Sequence, residues 1–337
     1  MSARKQILPV FIPHLGCPYT CVFCNQHEIT GAAATKAMQE LNMICHQPPK
    51  KEPRELAFYG GSFTALPAEQ QLRYLEKAEE AMNSGVVSSV RLSTRPDAVS
   101  SEILDRLKRY HVRTIELGAQ SMQDSVLQAS GRGHSASDVV ASSRLIREAG
   151  FQLVLQMMTG LPGDTKEGTV DTANRIIALK PDAVRIYPTV IVRGTELERR
   201  WRAGSYQEHT IEDAVQICAE IVPMFDAAGI PVIRLGLNPT DDLTSGAAIA
   251  GAYHPALGEL VRSRMLRNQA EAQMREWKCA GKTVIITVPE KQLSQMIGQK
   301  RCNIEWLKKA FSLSDLIVKA EPDCNNLYIN VKKEKGL

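Results

Sequence analysis

The stretch "HLGCPYTCVFCNQ", residues 14–26, places Cys17, Cys21 and Cys24 on one short segment, directly after the apolar run "ILPVFI" at 7–12. The order is Cys, three residues, Cys, two residues, Cys. A structural zinc site is closed by four ligands, and a ferredoxin cluster takes a fourth cysteine. Three thiolates on a cube of four irons leave the fourth iron with open positions for a ligand that is not protein. The same loop also admits a zinc reading in which His14 or His27 completes the set.

Outward from the loop, strand-like apolar runs recur with helical patterns between them. They are 7–12, "ELAFYG" at 55–60, "SVRLS" at 89–93, "VRTIELG" at 112–118, "FQLVLQMM" at 151–158, "DAVRIYP" at 182–188 and "IPVIRLG" at 230–236. The intervening segments carry capping signals. "SSEILDRLKRY" opens on Ser100 or Ser101, "SASDVVASSRLIREAG" closes on Gly150, and "PAEQQLRYLEKAEEAMNSG" ends at Gly85. This βα alternation predicts an α/β fold with a parallel sheet, either open or curled into a barrel, and in both the functional groups collect at the C-terminal ends of the strands. "YGGSFTALP" at 59–67 puts Gly60 and Gly61 at such an end, followed by Ser62.

The 337 residues are 44% hydrophobic, enough for one large domain or one large and one small. No run of about 18 apolar residues is present to span a bilayer, and the N-terminal stretch, broken by Pro9 and Pro13, has no small-residue cleavage site. A cytoplasmic location is expected. Eight scattered cysteines do not make a disulfide framework. Cys45, Cys218, Cys279, Cys302 and Cys324 show no paired ligand spacing and read as structural.

The net charge is +4, and its placement is uneven. From Ala280 to Leu337 there are ten Lys or Arg against six Asp or Glu, which leaves 31 of each in the first 279 residues. The excess positive charge points to an acidic partner such as RNA, with a solvated lysine-rich surface as the plainer alternative. The region 235–258 reads as a long loop closing over the barrel mouth, with a helix from about Pro255 to Lys278. After Gly281 the pattern becomes strand, helix, helix, strand, strand. The expected division is residues 1–250, a connecting loop and helix at 251–279, and a small α+β domain at 280–337.

With the other motifs in place, the cysteine spacing resembles that of the radical S-adenosylmethionine (SAM) superfamily. "LSTRPD" at 92–97, "IELGAQSM" at 115–122, "SGRGHS" at 130–135 and "RIYPTVIVRGTELERRWRAGSY" at 185–206 follow in fixed order and resemble the radical domain of the Elongator catalytic-subunit family over about residues 8–236. More loosely they resemble oxygen-independent coproporphyrinogen oxidases. The resemblance implies a partial (β/α)6-type TIM barrel and one 4Fe-4S cluster on Cys17, Cys21 and Cys24. It also implies SAM on the free iron, cleaved reductively to a 5'-deoxyadenosyl radical. By the same resemblance Phe23 packs on the adenine, Gly60, Gly61 and Ser62 approach the amino group, Gln120 and Gln156 face the ribose, Ser93 and Thr94 line the same wall, and Arg132 pairs with the carboxylate, a match that bidentate bonding favours. Tyr187 and Arg193 are candidates for holding substrate. A flavodoxin or ferredoxin is the implied electron donor.

Two departures from that family bear on the product. Its first two cluster cysteines are more widely spaced, and it carries an acetyltransferase domain for which this chain shows no matching segment. The radical-generating half is therefore the expectation. "VPEKQLSQMIGQKRCNIEWLKKAF" at 288–311 resembles the core of a KH domain, two helices joined by a Gly-x-x-Gly loop that clamps a nucleotide backbone. Here the loop reads Gly298, Gln299, Lys300, Arg301, with arginine in place of the second glycine. The readings that stand at this point are a radical enzyme modifying RNA, with tRNA expected and DNA not; a radical SAM enzyme acting on a small metabolite or protein side chain; and a non-catalytic metal- or cluster-bearing RNA-binding protein.

Overall fold

A computed structural model describes residues 6–12, 17, 19–24, 34–237, 246–322, 324 and 326–331; His14 and His27 lie outside them. In chain order the elements are β1 (Gln6–Ile12), α1 (Ala34–Cys45), β2 (Arg54–Gly60), α2 (Ala68–Asn83), β3 (Ser89–Thr94), α3 (Ser101–Arg109), β4 (Val112–Gln120), α4 (Asp124–Ala129) and α5 (Ala136–Glu148). They continue as β5 (Gln152–Thr159), α6 (Lys166–Ala178), β6 (Ala183–Pro188), β7 (Val190–Val192), α7 (Glu196–Arg202), α8 (Ile211–Ala227), β8 (Val232–Leu235) and β9 (Ala248–Gly251). The rest are α9 (Leu257–Arg275), β10 (Thr283–Pro289), α10 (Leu293–Ile297), α11 (Cys302–Ala310), β11 (Asp315–Glu321) and β12 (Tyr328–Val331).

Contacts divide the chain into two units, residues 1–210 with 224–253, and 211–223 with 254–337, so the division passes through α8 at Pro223. In the first unit seven strands form one parallel sheet in the order β1-β2-β3-β4-β5-β6-β8. The alternation along each strand explains its two faces. Leu56, Phe58, Leu92, Ile115, Leu117, Leu155 and Ile186 are buried and apolar, whereas Glu55, Tyr59, Arg91, Glu116, Gln156 and Arg185 occupy the intervening positions. Four strand steps separate β2 from β6, about 19 Å across a flat sheet. Yet the Tyr59 hydroxyl accepts a hydrogen bond from Arg185 Nη2 at 2.8 Å. Only a sheet curled toward its polar face permits that contact, so the α/β partial barrel expected from the alternation is present, with seven strands.

The helices start where the capping residues place them. Ser100, Ser135, Thr165 and Thr195 each accept from the backbone N–H three residues on, and Ser135 with Asp138 closes a reciprocal capping box. The loop expected over 235–258 holds a strand instead. Its described part contains β9, which pairs antiparallel with β7. Gly251 allows this, since a Cβ there would lie 2.9 Å from the Thr189 carbonyl oxygen.

In the second unit β10 pairs parallel with β11 and antiparallel with β12, giving the order β11-β10-β12. Val284, Ile286, Val288, Met296, Ile304, Leu307, Leu316 and Ile329 form its core with Leu266, Ala270 and Met274 of α9. The strand, helix, helix, strand, strand order after Gly281 is therefore realised around α10 and α11.

Candidate cluster and cofactor site

The cysteine loop leaves the C-terminal end of β1 and is held by two backbone hydrogen bonds. Val22 N–H donates to Ser130 O at 3.1 Å, and Leu197 N–H donates to Val22 O at 2.7 Å. The "SGRGH" segment thus lies directly against the loop. Gly131 makes the approach possible at φ +66, because a Cβ would sit 3.0 Å from Thr20 O; at Gly133 a Cβ would run into the Tyr19 ring at 2.5 Å.

Cys21 is buried, and its Sγ accepts from Arg132 Nη1 at 3.4 Å. Cys17 Sγ donates to Ser62 Oγ at 3.6 Å, which ties the loop to the turn after β2. Cys24 N–H donates to Cys21 O at 3.1 Å. Burial, reinforced by Cys21 and then Cys17, pushes the Cys24 thiol up to about 12, with Arg132 pulling the other way. A thiolate at Cys24 therefore calls for a compensating positive charge, which an iron-sulfur core would provide. Among the described residues no three His, Cys, Asp or Glu side chains form a group that could hold a single metal ion. A cluster that takes each sulfur on a different iron would not need one shared point, and the chemistry of three cysteine thiols on one loop suits it.

Arg132 is 7% exposed, donates from Nη2 to Gly118 O at 2.8 Å, and has its Nε buried without a partner among the described residues. Its own carbonyl accepts from Arg95. Gln120 is buried at φ +65 beside a register shift in β4, and a side chain at Gly118 would strike its amide at 2.8 Å and Arg132 at 3.3 Å. A non-glycine residue in this conformation is strained, and such strain gathers at binding sites. Thr94 Oγ1 shares a 2.5 Å hydrogen bond with Thr64, and Ser93 Oγ is buried without a partner among the described residues. Gly60 takes φ +98, and a Cβ there would lie 2.8 Å from Ile12 O. His134, next to Arg132, is held neutral: burial and then the Arg132 charge lower its pKa to about 4.

Cys17, Cys21, Cys24, Ser62, Gln120 and Arg132 thus gather around the C-terminal ends of β1, β2 and β4, with Gly60, Gly61, Ser93 and Thr94 along the same edge. The orphaned Arg132 Nε and Ser93 Oγ are donors that suit an anionic, hydroxyl-bearing cofactor. Phe23 packs on the small apolar cluster of Val22, Ile191, Leu197 and Tyr206. Gln156 lies inside the barrel, donating to Glu116 Oε2 at 3.1 Å. Arg193 stands at the end of β7 with its N–H on Ala247 O at 2.9 Å, and Gly298 to Arg301 belong to the other unit.

Sequence reasoning missed the barrel's inner network. Glu116, fully buried, accepts from Tyr59 at 3.1 Å, Arg91 at 2.8 Å and Arg185 at 2.9 Å on Oε1. Arg91 also reaches Glu55 at 2.6 Å, and Arg185 Nη1 donates to Tyr187 at 3.4 Å. Burial and then Glu116 raise the Tyr59 phenol above its ordinary range. The signal was available: parallel strands flanked by helices read as nearly continuous apolar runs, so charges in mid-strand at "REL", "VRL", "IEL" and "VRIY" mark an inner face.

The Radical SAM superfamily model matches residues 11–176 and the Radical_SAM C-terminal domain model residues 181–267. The tRNA uridine(34) acetyltransferase of Methanocaldococcus jannaschii is 27% identical over 255 residues, covering 68% of this chain and 45% of the relative. Elongator complex protein 3 of Homo sapiens is 26% identical over 248 residues, covering 68% and 44%. The chain therefore spans a little under half the length of these relatives. Among solved structures, the Methanocaldococcus infernus Elp3 with an N-terminal deletion superposes with a TM-score of 0.60 at 21% identity, covering 79% of this chain and 63% of that one. The coproporphyrinogen III oxidase of Escherichia coli superposes with a TM-score of 0.52 at 19% identity, covering 67% and 54%. Two successive family models along the partial barrel establish that the chain belongs to the radical SAM superfamily, whose enzymes use a 4Fe-4S cluster and S-adenosylmethionine, and that it is related to the Elp3-type proteins.

Proposed function

We propose that this chain is a radical SAM enzyme that modifies RNA, with tRNA as the substrate. Cys17, Cys21 and Cys24 hold the cluster, and Arg132 pairs with the carboxylate of the cofactor. Ser62, Ser93, Thr94 and Gln120 take its other polar groups, with Gly60 and Gly61 leaving room for its amino group. Bound there, the cluster and SAM supply a 5'-deoxyadenosyl radical when an electron arrives from a flavodoxin- or ferredoxin-type donor. The chain's own part is to orient the cofactor, exclude water and keep charges fixed around the target. His134, uncharged at neutral pH, adds no second cation beside Arg132.

The observation that carries this reading is the convergence of the cysteine loop with Ser62 and Arg132 at one end of the sheet. The tRNA substrate is supported by the relatives' names. It is supported too by the exposed Lys300 and Arg301 on the loop between α10 and α11, where basic side chains suit a phosphate backbone. The acetyltransfer named for the relatives is not part of the proposal. No helix among the described residues is long and apolar enough to cross a membrane. Anaerobic reconstitution with iron and sulfide, followed by incubation with SAM, dithionite and a tRNA pool, tests the reading. Deoxyadenosine release together with a mass shift on one nucleoside is expected. Release without any nucleoside change refutes RNA as substrate, and no release refutes the radical assignment.

A further inference from the structure

We infer that the inner wall of the barrel carries a binding site for an oxyanion on the substrate, a carboxylate or a phosphate, built from Arg185, Arg234 and Tyr187. This rests on the radical reading and deepens it by assigning a substrate class to the inner face of the sheet. The starting point is a charge imbalance. The buried carboxylates of the inner face are Glu55 and Glu116, and Arg91 bridges both. Arg185 shares Glu116 at 2.9 Å. That leaves Arg234, half-buried on β8, with its Nε on the backbone oxygen of Gly236 at 2.8 Å and no carboxylate in an ion pair with it among the described residues.

Arg234 is also the register partner of Arg185 on the adjacent strand. Two guanidiniums side by side on neighbouring strands repel. Burial lowers the pKa of Arg234; Tyr187 works against that, and the charge of Arg185 adds to it. Arg185 Nε is itself buried without a partner among the described residues. Tyr187 accepts from Arg185 Nη1, which leaves its own O–H free to donate to a further acceptor. Two guanidiniums in register on neighbouring strands, an orphaned guanidinium N–H and a phenol O–H thus meet on β6 and β8, and among the described residues Glu116, already shared with Arg91, is the one carboxylate paired with either arginine. An oxyanion there would relieve the repulsion and take charge-assisted hydrogen bonds from both arginines. Tyr187 is the last residue but one of β6, so the site opens toward the strand ends that carry the cysteine loop. A substrate anchored by its anionic group would present its neighbouring carbon toward the cofactor.

The test needs neither cluster nor SAM, so its failure is distinct from failure of the radical reading. Acetate and inorganic phosphate are titrated separately against chloride at constant ionic strength, following thermal stability and the line width of 13C-labelled acetate. Saturable stabilisation by one of the two anions is expected, and whichever binds tighter names the oxyanion. Arg234→Gln removes a like charge, so it should raise the melting temperature in chloride and weaken anion binding about tenfold or more. Absence of saturable binding by either anion, equal binding in R234Q, or a lower melting temperature of R234Q in chloride would each overturn the site.

Discussion

Two glycine-bearing loops of this protein face opposite demands. The "SGRGH" loop in the first unit spends Gly131 and Gly133 on contact with its own chain, at φ +66 and +72, where a Cβ would meet Thr20 O and the Tyr19 ring. The loop at 298–301 in the second unit has one glycine, at φ +76, and then sets Lys300 at φ +49 and Arg301 at φ +64, both exposed. The first loop uses backbone freedom to bury Arg132 against Cys21. The second accepts left-handed backbone at two long basic residues and shows their charges to solvent. Its stability comes from below: buried Asn303 donates to Ser263 O and Oγ, Gln295 O and Met296 O at 2.9 to 3.2 Å, stitching α9, α10 and α11 together. The two amide hydrogens of Asn303, shared among four acceptors, fix the loop's base while its tip stays basic and exposed. One loop turns its basic side chain inward onto a cysteine, and the other turns its basic side chains outward to solvent.

The largest effect falls on the first loop. Replacing Cys21 by Ala removes one proposed cluster ligand and the sulfur that Arg132 contacts. Iron near four per chain in the parent should drop to background, and deoxyadenosine release should vanish. Retained SAM cleavage would break the assignment of the loop. A comparable loss, in stability rather than chemistry, is expected at Glu116→Gln. Arg185 and Arg91 would lose a buried carboxylate, and breaking such pairs costs about 3 to 5 kcal/mol. Urea unfolding checks this, and a change below about 1 kcal/mol would mean the inner network is not a coupled unit.

These effects also show where the sequence was legible. All seven sheet strands stand out as apolar runs because every second residue meets the helices, and the caps at Ser100 and Ser135 obey local rules. β7 and β9 were not visible, since strands of three and four residues carry too short a pattern, and their pairing joins segments far apart in sequence. The cysteine, glycine and arginine motifs were readable as types. That Arg132 would touch Cys21 was not, because only the fold brings residues 111 positions apart to 3.4 Å. Gln156 illustrates the limit: the family resemblance assigns it to the ribose, whereas its bond to Glu116 at 3.1 Å is visible only in the fold.

Next in size is Arg132→Ala. The cluster spectrum should persist while SAM binding weakens, since a charge-assisted hydrogen bond is worth about 1.5 to 3 kcal/mol, roughly a 10- to 150-fold change in affinity. Unchanged affinity would make Arg132 a structural brace between Gly118 and Cys21. In the other loop, Lys300→Asp with Arg301→Asp should weaken tRNA retention at low salt and flatten the salt dependence by roughly two counterions. Cluster content and uncoupled deoxyadenosine formation should be unaffected, because both belong to the barrel. Parent-level RNA binding by the double variant would remove the recognition role and merge the two loops into one structural class.

The smallest expected effect asks whether Arg301 is tolerated or required. A left-handed residue other than glycine costs roughly 1 to 2 kcal/mol relative to a right-handed one, and glycine removes that cost while adding chain entropy to the unfolded state. The two terms oppose, and the steric one is the larger at φ +64, so Arg301→Gly should stabilise the protein by about 0.5 to 1 kcal/mol. The exposed guanidinium has no ion pair whose loss would offset this among the described residues, although its charge favours ionised Asp315 nearby. If RNA affinity falls several-fold while unfolding shifts to higher urea, the loop holds arginine against its own backbone preference for the sake of the partner. If stability rises and RNA affinity is unchanged, Arg301 is not a phosphate contact, and Lys300 alone is left to carry the recognition half of the comparison.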